Sequence, residues 1–403
     1  MKQDHFVIVG AGIVGLATAY ALLARGIERV TVLEQEVVDH PRSTSHGASR
    51  LLRFEYGANA LYSQMVILSL SRWVALEQLT KRTLYLRTGL LLLGREDDGF
   101  TLESYRTLRA LGLPTERLAE PQCRRRFPQF ETHAFDLLTY NLEAGILHAS
   151  TALRALKALV SEMGGTIYER TRVCALDASS RQRPLRLRLA DGTTISADRV
   201  VLATGPWVHR LLGELHLPIQ TTRQYLLYFG GLPLSSFGVQ NFPAFMANDL
   251  YGLPIHSSYS ANGEGLPWLK VASHATGPVI DPDETEHPAR SQQLVRQAIH
   301  DLEELIPALR RAYLAHIGKC IYDMSPDGDF IIDFLPDEPR VAFATGLSGH
   351  GFKFGPLLGE LLSSLVCGEE PLVPLKPFRL ARFHERDALS SRQPGPIDQR
   401  APR

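Results

Sequence analysis

Phe6-Val-Ile-Val-Gly-Ala-Gly-Ile-Val-Gly-Leu-Ala-Thr-Ala-Tyr-Ala-Leu-Leu-Ala-Arg-Gly26, followed by Val30-Thr-Val-Leu-Glu34, is the stretch that decides the fold. Phe6 to Val9 is a short, wholly apolar, β-rich run, the composition of a strand buried in a parallel sheet. It breaks into Gly10-x-Gly12-x-x-Gly15. From Val14 to Leu23 the residues are small or good helix formers, with Gly26 as a stop, and a second apolar run then ends in an acid. This order of strand, turn, helix and strand suits a bound dinucleotide. Gly10 allows the tight turn, Gly12 lets backbone amides approach a pyrophosphate at the helix N-terminus, and Gly15 lets helix and strand pack closely. Glu34 falls where a ribose hydroxyl needs an acceptor. A glycine turn alone serves equally as a packing device; the strand, helix and terminal acid around it point to the nucleotide.

Outward from this unit, composition narrows the rest. At 403 residues the chain exceeds what one core usually serves, so two domains are expected, and 44% apolar residues suffice to build them. Lys plus Arg and Asp plus Glu number 43 each, which leaves neither the basic footprint of a nucleic-acid binder nor a polyacidic tail. Small-molecule chemistry is the remaining default. No apolar run reaches the roughly 18 residues of a membrane span, and the sequence enters its first strand without a charged and apolar leader. A cytoplasmic protein with no membrane partner is therefore expected, and the chain is taken as a monomer. Cys123, Cys174, Cys320 and Cys367 lack CxxC spacing and are too few to staple the chain, and no metal site is expected.

Ser43 to Arg53 reads as a polar loop entering a helix, with Arg50 and Arg53, three apart, on one helical face. Ser69–Leu79 predicts an amphipathic helix, and Thr83–Leu93 a strand and turn. Residues 98–130 read as helical and charged, with Arg124-Arg-Arg126 on a solvated face; Gly145–His148 and Ala149–Met163 read as helix. Asp191-Gly192 marks a hairpin. Asp198 to Trp207 returns a buried strand to a glycine turn, as a sheet edge closing over the same dinucleotide. From Gln220 strands alternate through about Gly318, interrupted by a helix over 285–306. Ile331–Pro336, Val341–Gly346 and a helix from Gly355 to Leu365 return to the first style. The fold class is thus α/β, a nucleotide domain of 1–88, 147–218 and 324–403 with a mainly antiparallel substrate domain of 89–146 and 219–323. The Arg- and Pro-rich end is expected to be a mobile tail.

Five blocks now stand in order: the Gly10–Glu34 unit; Ser45-His-Gly-Ala-Ser-Arg-Leu-Leu-Arg53; Leu269-Lys-Val-Ala-Ser-His274; Cys320-Ile-Tyr322 with Phe330-Ile-Ile-Asp333; and Gly346-Leu-Ser-Gly-His-Gly-Phe-Lys-Phe354. Together they resemble the monomeric sarcosine oxidase and N-methyltryptophan oxidase family over nearly the whole chain. The resemblance implies a Rossmann-type FAD domain facing an antiparallel sheet over the flavin. It implies an oxidase of secondary or N-methyl amino acids, sarcosine-like or cyclic, with dioxygen as second substrate and an imine and hydrogen peroxide as products.

Residue by residue, the resemblance implies that Arg53 and Lys353 bind the substrate carboxylate. A planar guanidinium fork beside a compact ammonium both orients and holds such a group. Lys270 matches the oxygen-activating lysine, whose fixed cation stabilises charge developing on dioxygen. His274, Tyr322 and Tyr251 match positions near the substrate, and Arg50 and His46 positions beside the flavin. Gly349, His350 and Gly351 match a turn whose amides face the flavin's pyrimidine end. Cys320 matches the cysteine through which FAD is attached covalently at its 8-methyl carbon, with Arg50, His46 and Lys319 as candidates for the positive surroundings of its thiolate. Two departures bear on substrate size: Ala48 and Ser49 replace an acid and a threonine, and the stretch from Phe245 to Tyr251 is shorter. The alternatives are an FAD-dependent dehydrogenase passing electrons to a quinone or protein, and an NAD-dependent or non-catalytic nucleotide-binding module.

Overall fold

The computed structural model describes residues 2–178, 184–256, 267–275, 277–283 and 288–383. The expected C-terminal tail lies outside them.

The opening stretch folds as its sequence predicts: β1 (His5–Val9), α1 (Ile13–Ala24) and β2 (Arg29–Leu33). β1 lies parallel to β2, with Val7 opposite Thr31. Its four apolar residues are buried because the sheet is covered on both faces. The six-stranded sheet runs Ile331–Leu335, Glu338–Thr345, Arg199–Leu202, β1, β2, Thr166–Tyr168. All neighbours are parallel except the first pair, which is antiparallel. The strand expected to close the sheet edge, Arg199–Leu202, is instead internal, between β1 and Glu338–Thr345. The chain's late return supplies a further parallel strand, which the local pattern around Asp198 cannot reveal.

The eight-stranded sheet draws on Leu90–Gly94, Thr115–Leu118 and Leu137–Asn141, then on Gln220–Gly230, Ala244–Ala247, Leu250–Leu253, Leu269–Ser273 and Tyr313–Met324. Its strands alternate between two cores. Leu226, Tyr228, Tyr251, Leu253, Ala272, Cys320 and Tyr322 pack toward the nucleotide-binding layer. Leu227, Phe229, Leu250, Leu269 and Val271 pack on the other side, with Val295, Leu302 and Leu305 of the helix Pro288–Leu305. Leu90 to Leu93, a continuous apolar run, splits between the same two cores. The sheet is therefore buried on both faces, and one face looks at the site.

Three local readings are corrected. Arg50–Leu52 is a strand, not a helix start, and pairs antiparallel with Gly145–Leu147, itself read as helix. Each segment is too short to show a period, and each finds its hydrogen-bond partner about a hundred residues away. Helix begins only at Ala149. Within 98–130 the helices Phe100–Ala110 and Glu120–Arg126 flank a strand, Thr115–Leu118, which completes the eight-stranded sheet's edge. The hairpin at Asp191-Gly192 forms as expected, with Gly192 at φ +87°. No described helix is long and apolar enough to cross a membrane. No group of three or more His, Cys, Asp or Glu among the described residues could hold a metal ion.

Candidate active site

Two clefts of about 840 and 1020 Å³ meet at the N-terminus of α1, where Gly12, Thr44, Ser45, Ala203 and Gly205 line both. The first is built by the glycine turn. Gly10 has φ +103°, and a Cβ there would stand 2.4 Å from the Ala203 carbonyl oxygen; a Cβ on Gly15 would stand 1.9 Å from that of Gly10. Gly15 therefore acts beneath the cleft, not in its lining. Gly12, as the N-cap, offers no side chain, and the Ser45 hydroxyl accepts the Ile13 N–H at 3.1 Å instead. Glu34 lines this cleft, its two oxygens accepting the Ala11 and Glu36 amides at 2.7 and 3.0 Å.

The second cleft lies between this turn and the facing sheet. It gathers Arg50, Arg53, Tyr251, Lys270, His274, Cys320, Tyr322, Gly349, His350, Gly351 and Lys353. Strand period explains the sheet's share: Lys270 and His274, four apart, face the same way, as do Cys320 and Tyr322, two apart. The Tyr251 and Tyr322 hydroxyls are hydrogen-bonded to each other, and burial raises both, Tyr251 to about 12. The His274 ring lies against that of Tyr251, tilted by 31° with 4.6 Å between centroids. Burial, then Arg53 and Lys353, push its pKa down to about 3, so it is neutral. Lys270 is 3% exposed and donates to the Ser49 carbonyl at 2.7 Å. Burial first and Arg50 second lower its pKa to about 7.

Arg50 donates to the Ser49 and Thr44 carbonyls, both at 2.9 Å, and to that of His46, tying the loop beneath the cleft. Its guanidinium lies over Phe352. His46 turns its ring away, onto the carboxylate of Asp39 at 2.9 Å. Of the cations named as neighbours of Cys320, Lys319 is exposed and the His46 ring is engaged elsewhere, whereas Arg50 donates to the Thr44 carbonyl at 2.9 Å, which the Cys320 thiol also faces at 4.0 Å; Lys270 is a further cation within electrostatic reach of the thiol.

At the far end Arg53 and Lys353 form a pair. Lys353 is 3% exposed, donates to the His350 carbonyl at 2.9 Å, and has its pKa held well below normal by burial and then Arg53. Its own carbonyl accepts Trp73 Nε1 at 2.8 Å and Ser69 Oγ at 2.5 Å, so the helix Ala60–Thr80 fixes its backbone. Arg53 stacks over Tyr56 at 4.3 Å. The Tyr56 hydroxyl bonds His350 Nδ1, while His350 Nε2 faces the Gly328 carbonyl, both at 3.1 Å. The carbonyl can only accept, so Nε2 carries the hydrogen and Nδ1 accepts from Tyr56. Tyr56, Ser45, Thr44 and Phe352 were not singled out in the sequence. Nothing in their local pattern marks them, since each is defined by a partner distant in the chain.

FAD fits the residues present. Among the described residues, Thr44 Oγ1, Thr204 Oγ1 and Arg53 Nη1 are buried polar atoms with no hydrogen-bond partner, and all three residues line the joined clefts. Such atoms call for a ligand's partners. The Gly10–Gly12 turn leaves no Cβ between the α1 N-terminus and a pyrophosphate.

Fold and cleft together are those of a flavin-nucleotide oxidoreductase. The FAD dependent oxidoreductase family model matches residues 5–365, and the chain belongs to that family. Peroxisomal sarcosine oxidase of Mus musculus is 33% identical over 385 residues, 94% of this chain and 95% of that enzyme. N-methyl-L-tryptophan oxidase of Salmonella agona is 29% identical over 387 residues, 96% of this chain and all of that one. Among solved structures, L-proline dehydrogenase from P. horikoshii superposes with TM-score 0.80 at 20% identity, over 95% of this chain and 98% of that one. Glycine oxidase from Geobacillus kaustophilus gives 0.76 at 21%, over 94% and 99%. These two carry the fold alone.

Proposed function

We propose that the chain oxidises the C–N bond of a secondary or N-methyl amino acid, giving an imine that hydrolyses and hydrogen peroxide. The observation that carries this reading is the pairing of buried Lys353 with half-buried Arg53, whose guanidinium leaves one buried nitrogen unpartnered at the end of the flavin cleft. A guanidinium with an unpartnered nitrogen beside a buried lysine suits a bound anion, and a substrate carboxylate is such an anion. Bound FAD supplies the two-electron acceptor and passes those electrons to dioxygen.

The chain's own residues do the remainder. Arg53 and Lys353 hold the carboxylate and so aim the α-carbon and nitrogen along the cleft. Neutral His274 and the bonded Tyr251–Tyr322 pair flank the substrate, and the uncharged His274 imidazole adds no further positive charge beside the substrate amine. Lys270 sets a cation in a dry site, where charge developing on dioxygen is stabilised. That residue favours an oxidase over a dehydrogenase that passes electrons to a quinone or protein. Arg50 adds positive charge, and the place of Cys320 on the sheet face toward the flavin cleft supports covalent attachment of FAD there. Of the Gly349–Gly351 amides, that of His350 already donates to the Leu347 carbonyl at 3.0 Å, which leaves Gly349 and Gly351 for the flavin.

The two large sheets support the proposed domain division, while Gly145–Leu147, which pairs with Arg50–Leu52 and Tyr85–Arg87, straddles its boundary. Strands of the six-stranded sheet come from 1–88, 147–218 and 324–403, and those of the eight-stranded sheet from 89–146 and 219–323, apart from one residue of Tyr313–Met324. The test of function is a panel of sarcosine, other N-methyl amino acids, pipecolate and proline with dioxygen as sole acceptor. Stoichiometric peroxide from at least one is expected; turnover only with an added quinone acceptor would select the dehydrogenase.

A further inference from the structure

Glu55 is 2% exposed, lies two residues after Arg53 and next to Tyr56, and has no part in the chemistry above. Its Oε2 accepts the Phe54 N–H at 2.9 Å and its Oε1 accepts Asn141 Nδ2 at 3.0 Å. The Asn141 amide is oriented by its own oxygen, which accepts the Glu143 N–H at 3.0 Å. Both carboxylate oxygens thus meet donors and no acceptor, the environment of an ionised acid. Burial raises its pKa, opposed by the Asn141 bond and by Arg53. Glu55 in turn opposes the depression of Lys353.

Counting charge at this end of the cleft gives Arg53 and Lys353 positive and Glu55 negative. The other titratable groups facing the pair are His274 and His350, both kept neutral by burial first, and Tyr56, whose pKa burial raises. With Lys353 protonated, these side chains therefore carry one surplus positive charge, and one substrate carboxylate closes the balance. Without Glu55, a buried Lys353 ammonium would stand beside the half-buried Arg53 guanidinium with no fixed counter-charge among the described residues. Lys353 is the one that can relieve this by losing its proton, since a guanidinium does not.

We propose that Glu55 is a positioning residue, a buried counter-charge that keeps Lys353 cationic beside Arg53 so that both can hold the substrate carboxylate. The proposal rests on the carboxylate grip described above.

The test uses the FAD-loaded enzyme and two unreactive probes, 2-furoate and its uncharged amide 2-furamide, with Kd read from the flavin absorbance change between pH 6 and 10. In the unaltered enzyme 2-furoate is expected to bind well below the Kd of 2-furamide and to weaken on the alkaline side as Lys353 loses its proton. In Glu55→Gln that alkaline limb is expected to move down by about 1 to 3 pH units, the effect of removing one nearby charge. Affinity at the acid end should be equal or tighter, and Glu55→Asp should keep the limb near its original place. An unmoved limb in Glu55→Gln overturns the proposal, as does a loss equal at every pH and for both probes, which marks a merely structural residue. Should Glu55→Gln fail to fold, Asn141→Ser removes a bond to the ionised carboxylate. It is expected to move the limb the same way by less; an unmoved limb there overturns the proposal too. If 2-furoate binds no better than 2-furamide in the unaltered enzyme, the carboxylate grip itself fails, a result distinct from an unmoved limb.

Discussion

Lys270 and Lys353 are both 3% exposed, and burial alone would favour their neutral forms; what distinguishes them is the partner each has. Lys353 stands beside Arg53, so Arg53→Met should raise KM and weaken carboxylate inhibitors by about 2 to 5 kcal/mol, the range for truncating one partner of a buried charge pair. Unchanged inhibitor affinity would remove Arg53 from substrate binding. Lys270 faces no anion from the substrate. Lys270→Met should leave anaerobic flavin reduction nearly intact and slow reoxidation by dioxygen; equal slowing of both half-reactions would make it structural. Its pKa is lowered to about 7, so the cation is present below that value and lost above it. The reoxidation rate of the unaltered enzyme is expected to fall as pH rises through and beyond neutral, and the Met variant to show no such limb. Cys320→Ser should release FAD on acid precipitation while the unaltered protein keeps its colour in the pellet. Free flavin above the unaltered pellet would refute the link and leave the oxidase reading standing.

At the scale of elements, the cleft depends on how closely α1 is held. The helix Gly355–Cys367 packs along it, and a Cβ on Gly359 would stand 2.4 Å from the Ala17 backbone carbon. The atoms met there are the Ala17 backbone and its Cβ, none of which can rotate away. Gly359→Ala should therefore push the helices apart, costing about 1 to 3 kcal/mol, and a thermal melt should show a lowered Tm. A Tm equal to that of the unaltered protein would mean that the helices separate freely. The same rigidity matters for function, because α1 carries the pyrophosphate site at one end and the last helix carries Lys353 just before its start.

For the whole molecule, several histidines are buried uncharged. Burial lowers His148 and His256 from 6.5 to about 4, His274 to about 3, and His350 well below its ordinary value. Their folded pKa values lie below the unfolded one, so the unfolded chain binds more protons once pH drops under about 6.5. Stability from these groups is complete above that pH and is lost progressively toward pH 4. Tm should fall between pH 7 and pH 5 more steeply than in a variant with His148 and His256 replaced by Gln; parallel curves would show that those two do not titrate on unfolding.

The nucleotide unit was legible in the sequence because its information is local. Gly10, Gly12, Gly15 and Glu34 lie within one strand, turn, helix and strand, and each is fixed by backbone geometry that neighbouring residues dictate. The five-block resemblance likewise brought Arg53, Lys270, His274, Cys320, Tyr322 and Lys353 onto one list, and the fold places them in one cleft. Only the tertiary structure decided the rest. Arg50–Leu52 and Gly145–Leu147 are strands because they pair with each other, a preference that three-residue segments do not carry. Arg199–Leu202 is internal because residues more than a hundred positions later lie beside it. Ser45 serves as the hydrogen-bond acceptor at the start of a helix 32 residues before it. Lys353 is buried in the cleft with its backbone anchored by Ser69 and Trp73, and the Glu55 carboxylate is held by Asn141 of a distant strand. Sequence specifies what depends on neighbours in the chain; charge balance in a buried site depends on neighbours in space.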